Sequence, residues 1–183
     1  MNTKSRVAGV FIGLAVGDAL GVPLEKMEIG SFDLVTEMLG GGPYDLPPGA
    51  WTDETATALC LAQSLLVTHE LDVYDLAEKF KRWVETGENS STGVCVGIEQ
   101  KLLNFVGNFE RTGGFDPSSL NQKAKGNSVL ARVGPVACIH WDDLGTASKI
   151  AQQQSYLTHS SEIVASASEY LVLALSHLIA GRD

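Results

Sequence analysis

A hydroxyl and two carboxylates stand side by side at Thr52-Asp53-Glu54, where a Gly/Pro-rich loop gives way to an apolar segment. Oxygen donors grouped in this way can form a pocket suited to a hard divalent cation. The same residues are typical of a helix start, because Thr or Asp at the N-cap and acidic residues in the first turn complement the exposed N–H groups and the helix dipole. Taken alone, the cluster favours a helix cap over a metal site.

Two further carboxylates, Asp18 and Glu25, flank the end of a glycine-rich apolar segment. Asp18 falls in the last turn of a predicted helix, where the helix dipole disfavours a negative charge. For Glu25, solvent exposure and a functional role are equally well supported. The apolar neighbours of Asp18 make exposure a poorer explanation of that residue.

Apolar residues recur at helical spacing in the segments that must position these groups. No stretch shows sustained period-two alternation, and the β-branched residues are dispersed through helical patterns. We therefore predict an all-α fold. The predicted helices cover residues 6–20, 53–68, 72–86, a segment ending near 105, 126–141 with a bend at Pro135, a segment from 142 or 143 to 154, and 163–178. At most one short helix or turn is expected near 32–38, in the long loop before residue 51.

A stripe of small residues runs along the first predicted helix, because Gly9, Gly13, Gly17 and Gly21 recur at every fourth position. Each glycine weakens a helix by about 1 kcal/mol relative to alanine, so four in register need a packing or functional reason. We expect another backbone to approach this bare stripe closely. Gly21 and the following Pro23 should end the helix.

Length and charge limit the classes of function. The chain has 183 residues, enough for one domain with a substantial core, and its formal net charge is −9. This charge disfavours general electrostatic binding to nucleic-acid backbones or anionic membranes. No apolar stretch reaches the uninterrupted length of a membrane span, so a soluble protein is expected.

The three cysteines, Cys60, Cys95 and Cys138, are widely separated and include no CxxC pair, which disfavours a zinc site or a disulfide framework. We expect reduced thiols in a cytoplasmic protein. A signal peptide is disfavoured because Asp18 interrupts the first apolar segment and no clean cleavage site follows it.

Four blocks of sequence, in the right order and spread across most of the chain, resemble the ADP-ribosylglycohydrolases, the dinitrogenase-reductase-activating glycohydrolase family. Any one block would be a weak signal, whereas four together are specific. The blocks run from Gly9 to Glu25, from Trp51 to Ala56, from Gly126 to Ala137, and over Thr158-His159.

The resemblance implies an orthogonal-type helical bundle, here a single domain over residues 1–183. It also implies divalent-metal-dependent hydrolysis of the glycosidic bond between ADP-ribose and a modified protein side chain or related acceptor. Thr52, Asp53 and Glu54 match the ligands of a binuclear magnesium or manganese centre, so a metal role for Asp53 becomes more probable than a cap alone. Glu25 matches the carboxylate that activates water, and with Asp53 it forms the implied catalytic pair.

The resemblance also implies an ADP-ribose cleft. The residues that match its lining are Gly93, Gly97, Gly126, Asn127, Ser128 and His159. Glycines and helix N-termini can present backbone N–H groups to a diphosphate, so an acidic protein can still bind this anion. Capping explains Asn127 and Ser128 as well as ligand contact does, and His159 could also cap or pack.

The chain departs from the family in two ways. Glu54 stands where the family usually has aspartate, and the later Asp-x-Asp-Thr segment that supplies the other metal ligands is absent, so the chain resembles the amino-terminal part of the fold. A binuclear site would then be vacant, weak, or completed by another chain. The alternatives to an enzyme are an inactive ADP-ribose-binding homologue and a structural, crystallin-like one. Exposed apolar surface should promote association.

Overall fold

All regular structure in the described part of the chain is helical. A computed structural model describes residues 2–115 and 126–182. Extended backbone pairs there only in an isolated antiparallel bridge between Gly41 and Leu46. The prediction of an all-α fold is confirmed. The helices are α1 (Thr3–Gly21), α2 (Asp53–Thr68), α3 (Val73–Thr86), α4 (Gln100–Thr112), α5 (Ser128–Ala131), α6 (Gly134–His140), α7 (Leu144–Ser155) and α8 (Glu162–Ala180).

Helix ends follow the capping signals of the sequence at several places. The Asp72 carboxylate accepts hydrogen bonds from the backbone N–H groups of Tyr74 (2.9 Å) and Asp75 (3.1 Å) at the start of α3. Gly87 ends the same helix in the left-handed conformation, at φ +72°. Asp143 caps α7 by accepting from the Thr146 N–H at 3.1 Å. The sequence favours Asp72 and Gly87 as the two ends of α3, as observed, and it leaves Asp142 and Asp143 as alternative caps of the next helix, of which the structure shows Asp143.

The prediction of one helix over residues 126–141 was wrong, because this stretch forms two helices, α5 and α6. Pro135 occupies the first turn of α6, where a missing N–H leaves no hydrogen bond unmade. The proline therefore starts a new helix instead of bending a long one. Residues 32–38, where at most one short helix or turn is expected, form neither. Short 3-10 turns lie at Val22–Leu24 and Gly42–Tyr44.

The core lies between α2, α3 and α6. Phe80 and Trp83 of α3 are completely buried, as are Leu61 and Leu65 of α2. Helix α6 contacts α1, α2, α7 and α8, and its Val136 is also completely buried. This packing fixes the start of α2, where the acidic cluster lies.

Helix α1 is the least covered element. Ala19 is the one residue of α1 that is buried, whereas Ile12 is 62% exposed. A Cβ atom added at any of its four glycines would meet no atom within 4 Å. The expected close approach of another backbone to the glycine stripe is therefore absent from the described residues. That prediction was wrong for this part of the chain, and the stripe faces open space.

Helix α8 also leaves part of its apolar surface uncovered, since Ile163, Tyr170 and Leu178 are 80%, 78% and 61% exposed. Both α1 and α8 are long and apolar enough to cross a membrane. The expectation that no stretch reaches this length was wrong. Length and composition alone do not separate such a span from a helix that packs against protein.

Candidate active site at the start of helix α2

Asp18 of α1 caps α2, which follows it by more than thirty residues. Its carboxylate accepts hydrogen bonds from the backbone N–H groups of Thr52 and Thr55, both at 3.0 Å, and from both hydroxyls at 2.7 Å. Thr52 occupies the N-cap position, but its side chain makes no capping bond. The Asp18 charge is thus unfavourably placed in its own helix and favourably placed at the positive end of α2.

The Thr52 hydroxyl lies between two carboxylates. Its oxygen is 2.7 Å from Asp18 Oδ1 and 2.8 Å from Glu54 Oε2. A hydroxyl has one hydrogen, so it can donate to only one of these oxygens at a time. Asp53 beside it is 7% exposed. Burial and the neighbouring Glu54 raise the pKa of Asp53 to about 9. A proton or a cation would relieve this concentration of negative charge.

Glu25 directly follows the 3-10 turn at Val22–Leu24, and its carboxylate is oriented by Tyr44. The Tyr44 hydroxyl donates to Glu25 Oε1 at 2.9 Å. Burial and this hydrogen bond raise the pKa of Tyr44 to about 12, so the phenol remains a donor at neutral pH. Lys26 Nζ lies 5.3 Å from the centre of the Tyr44 ring on the other side.

The loop over residues 87–97 is fastened to the start of α2 and to α3. The Trp51 backbone N–H donates to Ser91 Oγ and its indole N–H to the Asn89 carbonyl, both at 3.0 Å. The Trp83 indole N–H donates to Ser90 Oγ at 3.0 Å. Two tryptophans therefore hold this loop beside the acidic cluster.

Two glycines of this loop differ in their surroundings. Gly97 has φ +80°, and a Cβ atom there would overlap the Asp53 carboxylate. Gly93 has a similar φ of +75°, but a Cβ atom there would meet no atom within 4 Å. The backbone at Gly97 thus approaches Asp53 more closely than any residue with a side chain could.

These groups surround one cleft with a volume of about 630 Å³. It brings together five of the residues predicted from the sequence and two acidic residues whose place in it was not predicted. The predicted residues are Glu25, Thr52, Asp53, Glu54 and Gly97; the others are Asp18 and Glu99, the residue before α4. Asp18 stands out in the sequence only by its unfavourable position in the last turn of α1, and no local pattern marks Glu99.

The remaining predicted cleft residues, Gly93 among them, do not line this cavity. Ser128 lines a small second cavity that shares Asp53, Glu54 and Glu99 with the cleft. Asn127 is at the N-cap position of α5 without a side-chain capping bond. Gly126 lies against His159, which is completely buried.

The sequence is similar to those of known proteins over almost its whole length. The sequence model of the family described as ADP-ribosylglycohydrolase matches residues 1–183. The chain belongs to the ADP-ribosylglycohydrolase family. It is 34% identical over 180 residues to an ADP-ribosylarginine hydrolase, Tri1, of Serratia proteamaculans; the matched region covers 98% of this chain and 49% of that relative. It is 30% identical over 186 residues to the ADP-ribosyl-[dinitrogen reductase] glycohydrolase of Rhodospirillum rubrum, and this match covers 99% of this chain and 60% of that relative.

A solved structure, described as an ADP-ribosylglycohydrolase-related protein complex, has the same fold. The TM-score is 0.80 at 33% identity, and the match covers 98% of this chain and 58% of the other. The chain spans about half the length of the curated relatives it matches. The family resemblance read from the four sequence blocks is confirmed.

The oxygen donors at the start of α2 are of the kind that binds metal ions. Thr52, Asp53 and Glu54 present a hydroxyl and two carboxylates, the donors that hard divalent cations prefer. Within residues 2–115 and 126–182, however, no group of three or more His, Cys, Asp or Glu side chains is arranged to hold a metal ion. The metal ligands implied by the resemblance therefore remain a prediction.

Proposed function

We propose that this chain carries part of the active site of a hydrolase that cleaves the glycosidic bond between ADP-ribose and a modified protein side chain. The observation that carries the proposal is the convergence of Glu25, Asp53 and Glu54 on one cleft, beside the Thr52 hydroxyl. Two relatives of the chain are named an ADP-ribosylarginine hydrolase and an ADP-ribosyl-[dinitrogen reductase] glycohydrolase. An ADP-ribosylated arginine is therefore the substrate to test first.

Glu25 is the proposed general base. Its carboxylate takes a proton from the attacking water while the water oxygen bonds to the anomeric carbon of the ribose. The bond from that carbon to the arginine nitrogen breaks, and the leaving nitrogen takes up a proton from solvent water. Glu25 then returns its own proton to the solvent. Tyr44 donates to Glu25 Oε1 and so fixes the carboxylate without competing for the proton.

A divalent cation, Mg²⁺ or Mn²⁺, is the proposed cofactor, and Thr52, Asp53 and Glu54 would hold it. The single Thr52 proton between two carboxylates and the raised pKa of Asp53 support a place for positive charge. Such a cation supplies Lewis-acid polarisation of substrate oxygens when bound. Asp18 holds the Thr52 backbone and hydroxyl and thereby sets where these donors point.

We further propose that a second polypeptide segment completes this site by packing on the open face of α1, defined here as Gly9, Ile12, Gly13, Val16 and Gly17. This face is continuous with an apolar groove of about 450 Å³ between α1, α5, α6 and α8. Gly13 and Leu14 line both the groove and the acidic cleft. A helix packed on the open face would therefore reach the cleft and could bring further carboxylates to it.

The proposed occupant of the open face is a helical segment that corresponds to the part of each relative's sequence that this chain does not match. Two relatives of about twice the matched length and a solved structure of which 58% is covered support this choice. The exposed Ile12 (62%) and Val16 (37%) supply the apolar contacts that such a helix would bury. The bare glycines allow its backbone to approach closely.

Hydrolysis of ADP-ribosylated arginine in the presence of Mg²⁺ tests the function. The chain mixed with the segment of the Serratia relative outside the match should release ADP-ribose, and Asp53→Ala should abolish release. The chain alone should show little turnover. Robust turnover by the chain alone, lost in Asp53→Ala, would contradict the need for completion. ADP-ribose binding without turnover in the mixture would favour a binding protein, and absence of binding would favour a structural homologue.

A matched pair of glycine variants tests the open face. Gly13→Leu should block association with the added segment, as measured by light scattering after size-exclusion chromatography. Gly107→Leu is the control, since Gly107 is also exposed within a helix and has no atom within 4 Å of an added Cβ. Unchanged binding by Gly13→Leu, a homodimer that excludes the segment, or binding of the chain to lipid vesicles through this face would contradict the proposal.

A further inference from the structure

Three consecutive glycines, Gly40, Gly41 and Gly42, lie in the loop before α2, and two of them pack directly against backbone. Gly42 has φ +65°, and a Cβ atom there would overlap the carbonyl oxygen of Val22. Gly40 has φ +68°, and a Cβ atom there would overlap the carbonyl oxygen of Leu46. A backbone carbonyl cannot swing aside as the end of a long side chain can. Both positions therefore need a residue without a side chain.

Residues 41–46 close on themselves and form a bridged loop. The Gly41 N–H donates to the Leu46 carbonyl at 2.6 Å, and the Leu46 N–H donates to the Gly41 carbonyl at 3.0 Å. Inside this bridge the Asp45 N–H donates to the Gly42 carbonyl at 3.3 Å. Three backbone hydrogen bonds thus give the bridged loop a defined shape of its own.

The bridged loop is anchored in a small apolar cluster that is separate from the main core. Leu46, Val22 and Ala50 are buried in this cluster, and Tyr44 and Val96 pack against them. These residues come from three segments that each contribute to the lining of the cleft: the first 3-10 turn with the residue after it, the segment that leads into α2, and the loop that the two tryptophans fasten. The small cluster therefore fixes these three segments relative to one another.

The bridged loop controls Glu25 through two contacts. The Val22 carbonyl, against which Gly42 packs, accepts a hydrogen bond from the Glu25 N–H at 3.3 Å. Tyr44, two residues after Gly42, donates its hydroxyl hydrogen to Glu25 Oε1 at 2.9 Å. One contact holds the backbone of Glu25 and the other holds its carboxylate. Gly42 lies at the base of both, so the width of its backbone sets the separation between the bridged loop and Glu25.

We propose that Gly42 is a positioning residue for Glu25: its close approach to Val22 sets where the Tyr44 hydroxyl meets the Glu25 carboxylate. The role of Glu25 as the base rests on the proposed function, whereas the placement of its carboxylate rests on the contacts of the bridged loop. Gly42 and Tyr44 are not among the described residues that line the cleft. Both act on the reaction through Glu25.

Carbon NMR of ring-labelled tyrosine measures this placement without any substrate, with Tyr44→Phe to assign the signal. Burial and the hydrogen bond to Glu25 raise the pKa of Tyr44 to about 12. At a pH of about 10.5 the Tyr44 phenol should stay protonated in the wild-type chain and ionise extensively in Gly42→Ala, because loss of the Glu25 contact returns the pKa toward 10. The same ionisation in both proteins would overturn the inference.

Gly113→Ala is the matched control for Gly42→Ala. Gly113 has a similar φ of +68° at the exposed end of α4, and an added Cβ atom there would meet no atom within 4 Å. The two substitutions carry similar left-handed strain, but only the one at Gly42 pushes against Val22. Gly113→Ala should leave the Tyr44 titration as in wild type. A shift of equal size in Gly113→Ala would assign the effect to general destabilisation and overturn the inference.

Steady-state kinetics of the completed protein test the consequence for the reaction. Gly42→Ala should lower kcat about tenfold or more with little change in KM, because a displaced carboxylate no longer meets the attacking water. In the Glu25→Gln background the same substitution should lower the remaining kcat less than about twofold, since no base is left to position. Equal factors in the two backgrounds would show that Gly42 does not act through Glu25.

Leu46→Ala provides a second, milder perturbation of the bridged loop. It removes a buried side chain from the small apolar cluster and places no atom against Val22. The Tyr44 phenol should ionise at a lower pH in Leu46→Ala than in wild type, and kcat should fall in the same direction. If Gly42→Ala does not fold, this variant decides the question, and an unchanged Tyr44 titration in Leu46→Ala would overturn the inference.

The outcomes separate this inference from the proposed function. A Tyr44 titration that shifts in Gly42→Ala, in a completed protein that hydrolyses no ADP-ribosyl compound, supports the placement of Glu25 and contradicts the function. Hydrolysis that depends on Glu25 but keeps its full kcat in Gly42→Ala supports the function and overturns the inference.

Discussion

The Asp18 carboxylate joins two helices by accepting hydrogen bonds from both the backbone N–H (3.0 Å) and the hydroxyl (2.7 Å) of Thr55. One charged side chain thereby fixes the end of α1 against the first turn of α2, where the candidate metal ligands lie. Positioning of the cleft and stability of the fold are coupled through this residue.

Asp18→Ala is expected to lower the free energy of unfolding by about 2 to 3 kcal/mol, because four donors at the start of α2 lose a charged acceptor. Urea unfolding followed by circular dichroism measures this change. Asp143→Ala, which removes a cap on the exposed start of α7, should cost less. Equal losses in the two variants would contradict a special role for Asp18.

Gly97→Ala should destabilise the protein more than Gly93→Ala. Both positions have φ near +80°, so each substitution carries about 1 to 2 kcal/mol of left-handed strain. Only at Gly97 would the new methyl group also overlap the Asp53 carboxylate. The difference between the two unfolding free energies therefore reports the contact with Asp53. Identical unfolding free energies for the two variants would mean that the Asp53 side chain moves away from the new methyl group without a free-energy cost.

The contribution of His159 to the stability of the protein should decrease as the pH falls from about 6.5 to 4, whereas Asp53, whose pKa is raised to about 9, contributes in the opposite sense over the same range. Burial, with added effects of Lys101 and Arg132 that outweigh the nearby Glu99, lowers the pKa of His159 from 6.5 to about 4. Between these values the unfolded chain binds the proton that the folded chain does not, so acid favours unfolding. The full effect amounts to roughly 3 kcal/mol.

Unfolding curves measured at several pH values test this expectation. Relative to wild type, His159→Gln should gain stability as the pH falls through this window, because the Asp53 contribution is common to both proteins and cancels in the difference. His177→Gln, at an exposed position on α8, should show the same pH dependence as wild type. A difference between His159→Gln and wild type that does not change with pH would contradict the assignment to this residue.

Glu25→Gln should lower kcat for ADP-ribosylarginine about 100-fold or more in the completed protein, because the amide cannot accept the proton of the attacking water. KM should change little. Tyr44→Phe removes only the hydrogen bond that orients Glu25 and should lower kcat less. Steady-state kinetics measure both, with Glu28→Gln on the neighbouring exposed surface as the control. Full activity in Glu25→Gln would assign the base to another group.

The sequence predicted the helical class and most helix starts, because caps such as Asp72 and Asp143 act on the next few residues. It also predicted that Glu25, Thr52, Asp53 and Glu54 belong together, although this came from the family resemblance. The sequence does not predict which groups bind Asp18, because the Asp18 carboxylate and the N–H and hydroxyl groups at the start of α2 are more than thirty residues apart in the chain. The glycine stripe indicated a close approach, but no periodicity shows whether the approaching backbone lies within the same chain.

The pattern around His159 shows a second limit. Its sequence context identified the residue but not its surroundings, because the buried Arg132 and Thr158 contacts arise only when α5, α7 and the loop before α8 come together.

The attachment of two indoles to the loop over residues 87–97 gives the protein an optical probe of its own. Trp51 immediately precedes Thr52, and its ring donates to Asn89, whereas the Trp83 ring is completely buried against Ser90. Mg²⁺ bound by Thr52 and Asp53 should therefore alter the emission of Trp51 and leave that of Trp83 nearly constant. A titration of intrinsic fluorescence in the Trp51→Phe and Trp83→Phe variants would record occupancy of the cleft without any label.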